Sequence, residues 1–186
     1  MTVEELIQDA QRRMDRSVES ARNEFNTVRT GRASAALLDR ISVDYYGQPT
    51  PLKQLATINV PEPRMLTIQP FDPSSIKGIE KAIQESDLGL TPSNDGKLIR
   101  LPIPQLTEER RKELVKVVKH LAEEGRVAVR NVRRDVMHHM KELVNKGDVG
   151  ADEEHRGEER LQKLTDEHVK TIDELLKHKE AEILEV

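Results

Sequence analysis

Apolar side chains recur every three or four residues along the first 28 residues of the chain. Their positions are Val3, Ile7, Ala10, Met14, Val18, Ala21, Phe25 and Val28. This spacing is close to the 3.6-residue period of an α-helix, so the pattern predicts one long amphipathic helix. We expect the helix to end near Thr30-Gly31, because glycine is common just after a helix C-terminus and Arg29 would complement the helix dipole there.

The second half of the chain contains two more long stretches with helical periodicity. The apolar stripe of the first is Leu114, Val118, Leu121, Gly125, Ala128, Val132, Val136, Met140 and Leu143, and that of the second is Leu161, Leu164, His168, Ile172, Leu175 and Ile183. Thr107 followed by two glutamates is typical of a helix start, and Asn145-Lys146-Gly147 of a helix end. Because each helix has only one apolar stripe, the pattern predicts an antiparallel three-helix bundle.

The region between the first two long helices has a different pattern. All nine prolines fall between Pro49 and Pro104, and short β-branched stretches at residues 41–45, 57–60, 65–69 and 98–101 predict strands. A short helix is expected from Asp72-Pro73 to about Ser86, with Asp72 as its N-cap. This region is therefore expected to form a compact β/α/β domain.

The combined pattern predicts an α+β protein in which residues 1–30 and 105–186 form the bundle and residues 31–104 form an inserted domain. The chain crosses between the two domains twice, at Thr30-Gly31 and at Pro102 to Pro104. Two adjacent crossings, one at glycine and one at proline, are typical of a two-strand hinge.

Composition excludes several classes of protein. Charged residues make up 34% of the chain and aromatic residues only 2%, so the sequence offers few rings on which nucleic-acid bases could stack. There is no cysteine, which excludes disulfides and thiolate metal sites and fits a cytoplasmic protein. The N-terminus has no signal-peptide pattern and no 18-residue apolar run occurs, so we expect neither secretion nor membrane association.

Motifs for catalysis, cofactors or metals are also missing. Gly89 to Lys97 superficially suggests a phosphate-binding loop, but the glycine spacing is wrong and a strand is expected after it. The six histidines form no HExxH pair, and surface or interface positions are the better interpretation of them. No nucleophile elbow is present. The sequence therefore predicts no enzymatic activity, no metal and no cofactor.

Charge is unevenly distributed in a chain whose net charge is −4. Residues 107–146 contain 11 basic and 7 acidic side chains, whereas residues 148–186 contain 6 basic and 13 acidic ones. Four arginines and no acid lie between Gly125 and Arg134, which we call the arginine run. In a helix, Arg126, Arg130 and Arg133 follow an i, i+4, i+7 course on one face, beside a stripe of valines that can be buried.

Three interpretations of the arginine run compete. Glu123, Glu124 or Asp135 could neutralise it locally, as on an ordinary solvated helix face. The chain could be a protein-protein adaptor whose acidic third helix binds a partner while the arginines pair with acids. No acid lies within the run itself and few pairing partners flank it, so we favour contact with a polyanion, whose phosphate oxygens suit guanidinium groups.

Several motifs, taken in order, resemble those of the ribosome recycling factor family of bacteria and organelles. They are Arg12-Arg13-Met14-Asp15, residues 29–34, Tyr45-Tyr46-Gly47, residues 49–52, residues 86–90, residues 106–112, and residues 128–135 within and beside the arginine run. Each motif alone is modest, but their order and spacing are specific, and the resemblance covers essentially the whole chain. Met137-His138-His139-Met140 is a local variation that the family need not share.

The resemblance implies an L-shaped, two-domain molecule that enters the vacant A-site side of the ribosome after peptide release. It implies that the bundle binds ribosomal RNA of the large subunit. With elongation factor G and GTP, such a factor splits the ribosome into subunits for a new round of translation, without making or breaking a bond. The smaller domain would swing at the hinge, and we expect a monomer with no membrane partner.

The resemblance also implies which residues face the RNA. Arg130 and Arg133 match the RNA-facing arginines of the family, with five further matched basic positions at Arg29, Arg32, Arg110, Arg126 and Arg134. Because Arg32 and Arg110 lie beside the two crossings, they could equally stabilise the hinge through ion pairs.

Overall fold

The structure is a computed structural model that describes residues 1–185. It contains two compact units, one formed by residues 1–30 with the chain from Glu108 onward, and the other by Gly31–Thr107. The predicted bundle range extends to Val186, which lies outside the described residues. The first unit is a three-helix bundle and the second contains an antiparallel sheet, which confirms the predicted α+β class.

The first helix, α1, spans Val3–Asn26 and begins with a capping box. The Thr2 hydroxyl accepts a hydrogen bond from the Glu5 amide, and the Glu5 carboxylate accepts one from the Thr2 amide, both at 3.1 Å. At the other end the Thr27 hydroxyl donates to the Glu24 carbonyl at 2.7 Å. The predicted end near Thr30-Gly31 is therefore wrong, because the polar side chain of Thr27 caps the last turn before the glycine is reached.

The second unit begins with a 3₁₀ turn, Ala35–Leu38, and a hairpin of β1, Ser42–Tyr45, and β2, Gln48–Pro51. The turn residues Tyr46 and Gly47 both have positive φ, 50° and 79°, as a two-residue type I′ turn requires. The sequence pattern does not predict β2, because prolines at 49 and 51 argue against a strand. A single helical turn, α2, Leu52–Leu55, follows.

A four-stranded antiparallel sheet forms the core of this unit. Its strands are β3, Ala56–Glu62, β4, Met65–Pro70, β5, Ser93–Asn94, and β6, Ile99–Pro102, in the order β3-β4-β6-β5. Asp72 caps the 3₁₀ turn Pro73–Ser75, which leads into α3, Ile76–Glu85. Ile79 and Ile83 of α3 are fully buried, as are Leu66 and Ile68 of β4. The predicted strands and helix are confirmed, whereas β5 is too short to leave a sequence pattern.

The other two bundle helices are α4, Glu108–Asn145, and α5, Ala151–Leu184. At the predicted end of α4, the Gly147 amide donates to the Val144 carbonyl at 2.9 Å and the Asp148 amide to the Leu143 carbonyl at 3.0 Å. With Gly147 at φ +77°, this is a complete Schellman motif. Arg13 of α1 contacts Asp135 and Ala21 lies beside Gly125, so α4 is antiparallel to α1. Arg126 contacts Asp173 and Arg133 contacts Gln162, so α4 is also antiparallel to α5.

The buried stripe of α4 differs in detail from the predicted one. Its buried residues are Leu114, Val118, Ala122, Gly125, Val129, Val132, Val136 and Met140. The predicted Leu121, Ala128 and Leu143 are instead partly exposed. Small residues decide the orientation: a Cβ on Gly125 would lie 3.3 Å from Ala21 of α1 and 3.1 Å from Ile172 of α5, so all three helices approach closely there.

A membrane-spanning helix needs about 20 consecutive, predominantly apolar residues. Within residues 1–185, no helix is both long enough and apolar enough to cross a bilayer.

Candidate nucleic-acid interface

The arginine run lies in the middle of α4, and its valines fix it in place. Val129, Val132 and Val136 are buried in the bundle, as predicted. Because these side chains pack against the other two helices, the helical backbone between them is held in a single orientation. The four arginines therefore project from a rigid support, and their directions follow from the helical period.

Arg126 points along the seam between α4 and α5. Its Nε donates to the Asp173 carboxylate of α5 at 2.7 Å, and its Nη1 donates to Glu123 at 3.0 Å. Only 20% of the side chain is exposed. Burial acts to lower the pKa of Arg126, but the hydrogen bonds to Asp173 and Glu123 outweigh it and raise that pKa above its ordinary value. This guanidinium is therefore charged and already paired.

Arg133 also faces α5, where its Nη1 donates to the side-chain oxygen of Gln162 at 2.8 Å. Glu123, which pairs with Arg126, also lies 3.7 Å from Arg130. The expectation that the run has few pairing partners is therefore wrong. One acid comes from the preceding turn of α4 and the other, Asp173, from a helix that local sequence inspection does not connect to the run.

Arg130 and Arg134 face solvent instead. The Arg130 side chain is 41% exposed, with Glu123 as a distant partner. Arg134 is exposed and forms no ion pair with any residue between 1 and 185. The single arginine face that the sequence predicted is thus divided into a seam side, with Arg126 and Arg133, and a solvent side.

The solvent side continues beyond the arginine run. Arg130, Arg134, His138 and Lys141 follow an i, i+4, i+8, i+11 course, which places them on one side of α4 over about 16 Å. We call these four residues the outward row. His138 and Lys141 are exposed. Asp135 of this segment points toward α1, where it binds Arg13 at 2.6 Å, whereas Glu142 lies 3.0 Å from His138. The arginine run does not include His138 and Lys141, although the four-residue spacing from Arg130 through Arg134 to His138 can be read from the sequence.

The other predicted arginines lie away from the run. Arg29 follows the end of α1 and Arg110 lies in the first turn of α4, where it donates to Glu113 at 2.9 Å. Arg32 belongs to the other unit. All three side chains are exposed. Each is placed where the chain enters or leaves the bundle, as expected from the sequence.

The predicted hinge residues occupy segments without regular structure or at the edge of a strand. Gly31 has φ +77°, and a Cβ there would lie 3.0 Å from the Leu106 side chain. The Ala33 amide donates to the Pro63 carbonyl at 2.7 Å, and the Ile103 amide donates to the Arg64 carbonyl at 2.8 Å. Both connecting segments are therefore attached to the same turn of the second unit.

Pro102 and Pro104 mark the exit side of the same connection. Pro102 is the last residue of β6, and residues 103–107 have no helix or strand. Both prolines are exposed, and Thr30 is partly exposed on the entry side. Proline fixes φ and lacks an amide donor, so it ends the strand without starting a helix.

The histidines divide into five exposed residues and one interface residue. Each exposed histidine lies within 3.6 Å of an acid one turn away on its own helix. His168 is buried between α1 and α5, with Nδ1 2.7 Å from the Leu164 carbonyl and Nε2 2.7 Å from Asp15. This contact lowers the pKa of Asp15. Within residues 1–185, no three acids or histidines are arranged to hold a metal ion.

Comparison with known proteins identifies the family. The ribosome recycling factor family model matches residues 21–184. The ribosome-recycling factor of Rubrobacter xylanophilus is 59% identical over 180 residues, covering 97% of each chain. A solution structure of the ribosome recycling factor matches with a TM-score of 0.78 at 45% identity, covering 100% of this chain and 99% of that one.

A second solved structure adds a complex. It contains models of the T. thermophilus ribosome recycling factor and E. coli elongation factor G bound to the E. coli post-termination complex. Its recycling factor matches with a TM-score of 0.66 at 47% identity, covering 99% of this chain and 100% of that one. The family that the sequence motifs predicted is confirmed: the chain belongs to the ribosome recycling factor family.

Proposed function

We propose that this protein binds post-termination ribosomes and, with elongation factor G and GTP, dissociates them into subunits so that translation can restart. The proposal follows from its family and from the relative that is bound with elongation factor G to a post-termination complex. The protein would act in the cytoplasm as a monomer, without a cofactor and without making or breaking a covalent bond. Its direct partners would be ribosomal RNA of the large subunit and elongation factor G.

The solvent side of α4 is the observation of this structure that supports the RNA-binding part of the proposal. Arg130 and Arg134 present guanidinium groups from a helix whose opposite side is fully buried. Guanidinium groups bind phosphate oxygens in a fixed geometry, and folded RNA is recognised mainly through its shape, phosphates and 2′-hydroxyls. Three of the four aromatic residues lie outside the bundle, so the bundle would bind RNA by charge and shape and not by base stacking.

The seam arginines contribute differently. Arg133 uses one of its five N–H donors on Gln162 and keeps others for RNA. Arg126 is held by two acids, so we propose that it mainly positions α4 against α5 and contacts RNA weakly. The pairing of Arg126 is what the adaptor interpretation expects of the arginines, whereas that interpretation does not account for Arg134, which has no ion pair within residues 1–185. Arg29, Arg32 and Arg110 would make peripheral contacts.

A breakdown assay of post-termination complexes tests the function. We expect splitting by the parent protein with elongation factor G and GTP, and none when either is omitted. Arg130→Ala combined with Arg134→Ala should slow splitting at a limiting factor concentration. Arg156→Ala is the matched control, because Arg156 is an exposed arginine of α5 with no ion pair among residues 1–185. Splitting that does not need elongation factor G would contradict the proposal.

We also propose that Thr30, Gly31, Pro102 and Pro104 form a hinge that allows the second unit to move when elongation factor G acts. The support is the left-handed backbone at Gly31 and the attachment of both connections to the Pro63-Arg64 turn. A side chain at Gly31 would strain the backbone and meet Leu106 at 3.0 Å. Gly31 thus allows a conformation that other residues adopt at a cost.

Gly31→Ala should retain ribosome binding but slow splitting. Gly150→Ala is the matched control, because Gly150 has an ordinary φ of −77° and nothing within 4 Å of its added Cβ. Binding and splitting would be measured separately, by sedimentation with ribosomes and by light scattering. Equal splitting rates for the two variants would show that Gly31 has no hinge role.

A further inference from the structure

Two adjacent histidines at the end of the outward row are joined through carboxylates. The His138 Nε2 lies 3.0 Å from Glu142, and the His139 Nδ1 lies 3.5 Å from the other oxygen of the same carboxylate. The His139 Nε2 lies 3.6 Å from Asp135. All four residues belong to two turns of α4, directly after Arg134.

The network extends from α4 to α1. Arg13 of α1 donates to Asp135 at 2.6 Å and lies 3.4 Å from Asp9. Chiefly through the Arg13 hydrogen bond, and against a smaller effect of burial, the pKa of Asp135 is held below its ordinary value. From α5, no side chain within residues 1–185 forms an ion pair with these groups. Arg12 of α1 also lies 3.7 Å from Asp9. We call Asp9, Arg12, Arg13, Asp135, His138, His139 and Glu142 the histidine network.

The charge of the histidine network depends on its two imidazoles. It contains three carboxylates and two guanidinium groups, which gives a net charge of −1 when both imidazoles are neutral and +1 when both are protonated. Imidazole is the side chain whose charge ordinarily changes between pH 5 and 8. Arg134 lies four residues before His138 and Lys141 three after it, so this change occurs within the outward row.

Two effects of protonation act in the same direction on a nearby phosphate. A neutral imidazole has a single N–H donor and leaves the Glu142 carboxylate uncompensated, and that carboxylate would repel a phosphate. A protonated His138 neutralises Glu142 through Nε2 and offers a second, charged donor at Nδ1. Its side chain is 70% exposed, so the ring is accessible to a ligand.

We propose that His138, supported by His139, is a further phosphate contact of the outward row that operates only when protonated. This rests on the proposed function, since the phosphates would be those of large-subunit ribosomal RNA. The factor would therefore bind the ribosome more tightly as pH falls from 8 to 6. Arg130 and Arg134 would supply the part of the affinity that does not change with pH.

Binding to purified large ribosomal subunits at pH 6.0 and pH 8.0, at fixed ionic strength, tests this. The parent should bind about three to five times more tightly at pH 6.0, with a salt slope steeper by about 0.7 to 0.9. His138→Gln combined with His139→Gln should bring the ratio of the two affinities close to one. Glu142→Gln should raise the affinity at pH 8.0, because it removes the repelling carboxylate.

His178→Gln is the matched control for the loss of a surface histidine outside the outward row. His178 is 76% exposed and lies 3.0 Å from Glu182, four residues along α5, so it repeats the local geometry of His138 away from the outward row. It should keep the affinity ratio of the parent. Circular dichroism at both pH values would establish that each variant is folded.

The outcomes separate this inference from the function on which it rests. A parent that fails to bind large subunits at either pH would overturn the proposed function. A parent that binds with the same affinity at both pH values would overturn only the role of His138. The same conclusion follows if the double variant keeps the affinity ratio of the parent.

Discussion

The two sides of α4 show how adjacent residues of one helix perform different tasks. On the inward side, Val129 and Met140 are fully buried between α1 and α5. On the outward side, Val127 is 44% exposed and Arg130 and Arg134 meet solvent. Removing an inward side chain affects the free energy of unfolding, whereas removing an outward one affects what the surface binds. The comparison teaches that the inward side fixes the direction in which the outward side presents its charge.

The side of α4 that faces α5 shows that neighbouring arginines in the sequence can have different roles. Arg126 and Arg134 both belong to the arginine run, but Arg126 is paired with Asp173 and Glu123, and Arg134 has no ion pair within residues 1–185. A free guanidinium can exchange water for phosphate, whereas a paired one must first give up its carboxylates. A run of like charges in a sequence is therefore not the same as a binding face.

The largest expected effect is a difference in the free energy of unfolding between two valine-to-alanine variants, one on each side of α4. Val129→Ala removes two buried methyl groups and should lower the free energy of unfolding by about 2 kcal/mol. Val127→Ala should change it by less than about 0.5 kcal/mol, because the side chain is exposed and alanine favours helix. Urea denaturation followed by circular dichroism measures both. Equal costs would mean that the inward and outward sides are wrongly assigned.

The next effect concerns affinity and not stability. Arg130→Ala combined with Arg134→Ala should weaken binding to large ribosomal subunits about tenfold and flatten the salt slope by about 1.4 to 1.8, the value for two phosphates. The free energy of unfolding should change by less than about 0.5 kcal/mol. Binding would be titrated over a series of salt concentrations. An unchanged salt slope would remove these two residues from the interface.

Arg126→Ala, unlike the Arg130 and Arg134 substitutions, should affect stability more than ribosome affinity. Loss of its contacts to Asp173 and Glu123 should lower the free energy of unfolding by less than about 1 kcal/mol, because the acids are largely exposed. A double-mutant cycle with Asp173→Ala isolates the contact between α4 and α5. Ribosome affinity should change by less than about twofold. A flatter salt slope for Arg126→Ala would show that this arginine also contacts phosphate.

The smallest effect, on the pH dependence of stability, is expected for His168, the buried histidine of α5. Its hydrogen bond lowers the pKa of Asp15, so this carboxylate contributes stability above its unfolded-state pKa. That stability is lost as pH falls through the lowered value in the folded protein. His168→Gln should therefore flatten the decrease of the free energy of unfolding below about pH 4. If the free energy of unfolding of His168→Gln decreased at low pH as steeply as that of the parent, the Asp15 contact would not contribute to stability.

Sequence patterns predicted most of the fold, and their errors have identifiable causes. The three long helices, the cap at Gly147 and three of the four sheet strands follow from periodicity and turn chemistry. The pattern places the end of α1 too late, because apolar periodicity does not register the hydrogen bond from the Thr27 side chain to the last turn. β2 was missed because its prolines are tolerated in a short hairpin strand that has only one neighbour.

For the candidate surface, the sequence by itself determined the family, the helix that carries the arginines and the valines that hold it. Tertiary structure alone decided which arginines are paired, since Asp173 lies 47 residues from Arg126 in the chain. It also decided that Ala122 and Val129, not Leu121 and Ala128, line the core. The reason is physical: periodicity fixes the angle of each side chain around its own helix axis, but only the packed neighbours determine which angles face protein and which face solvent.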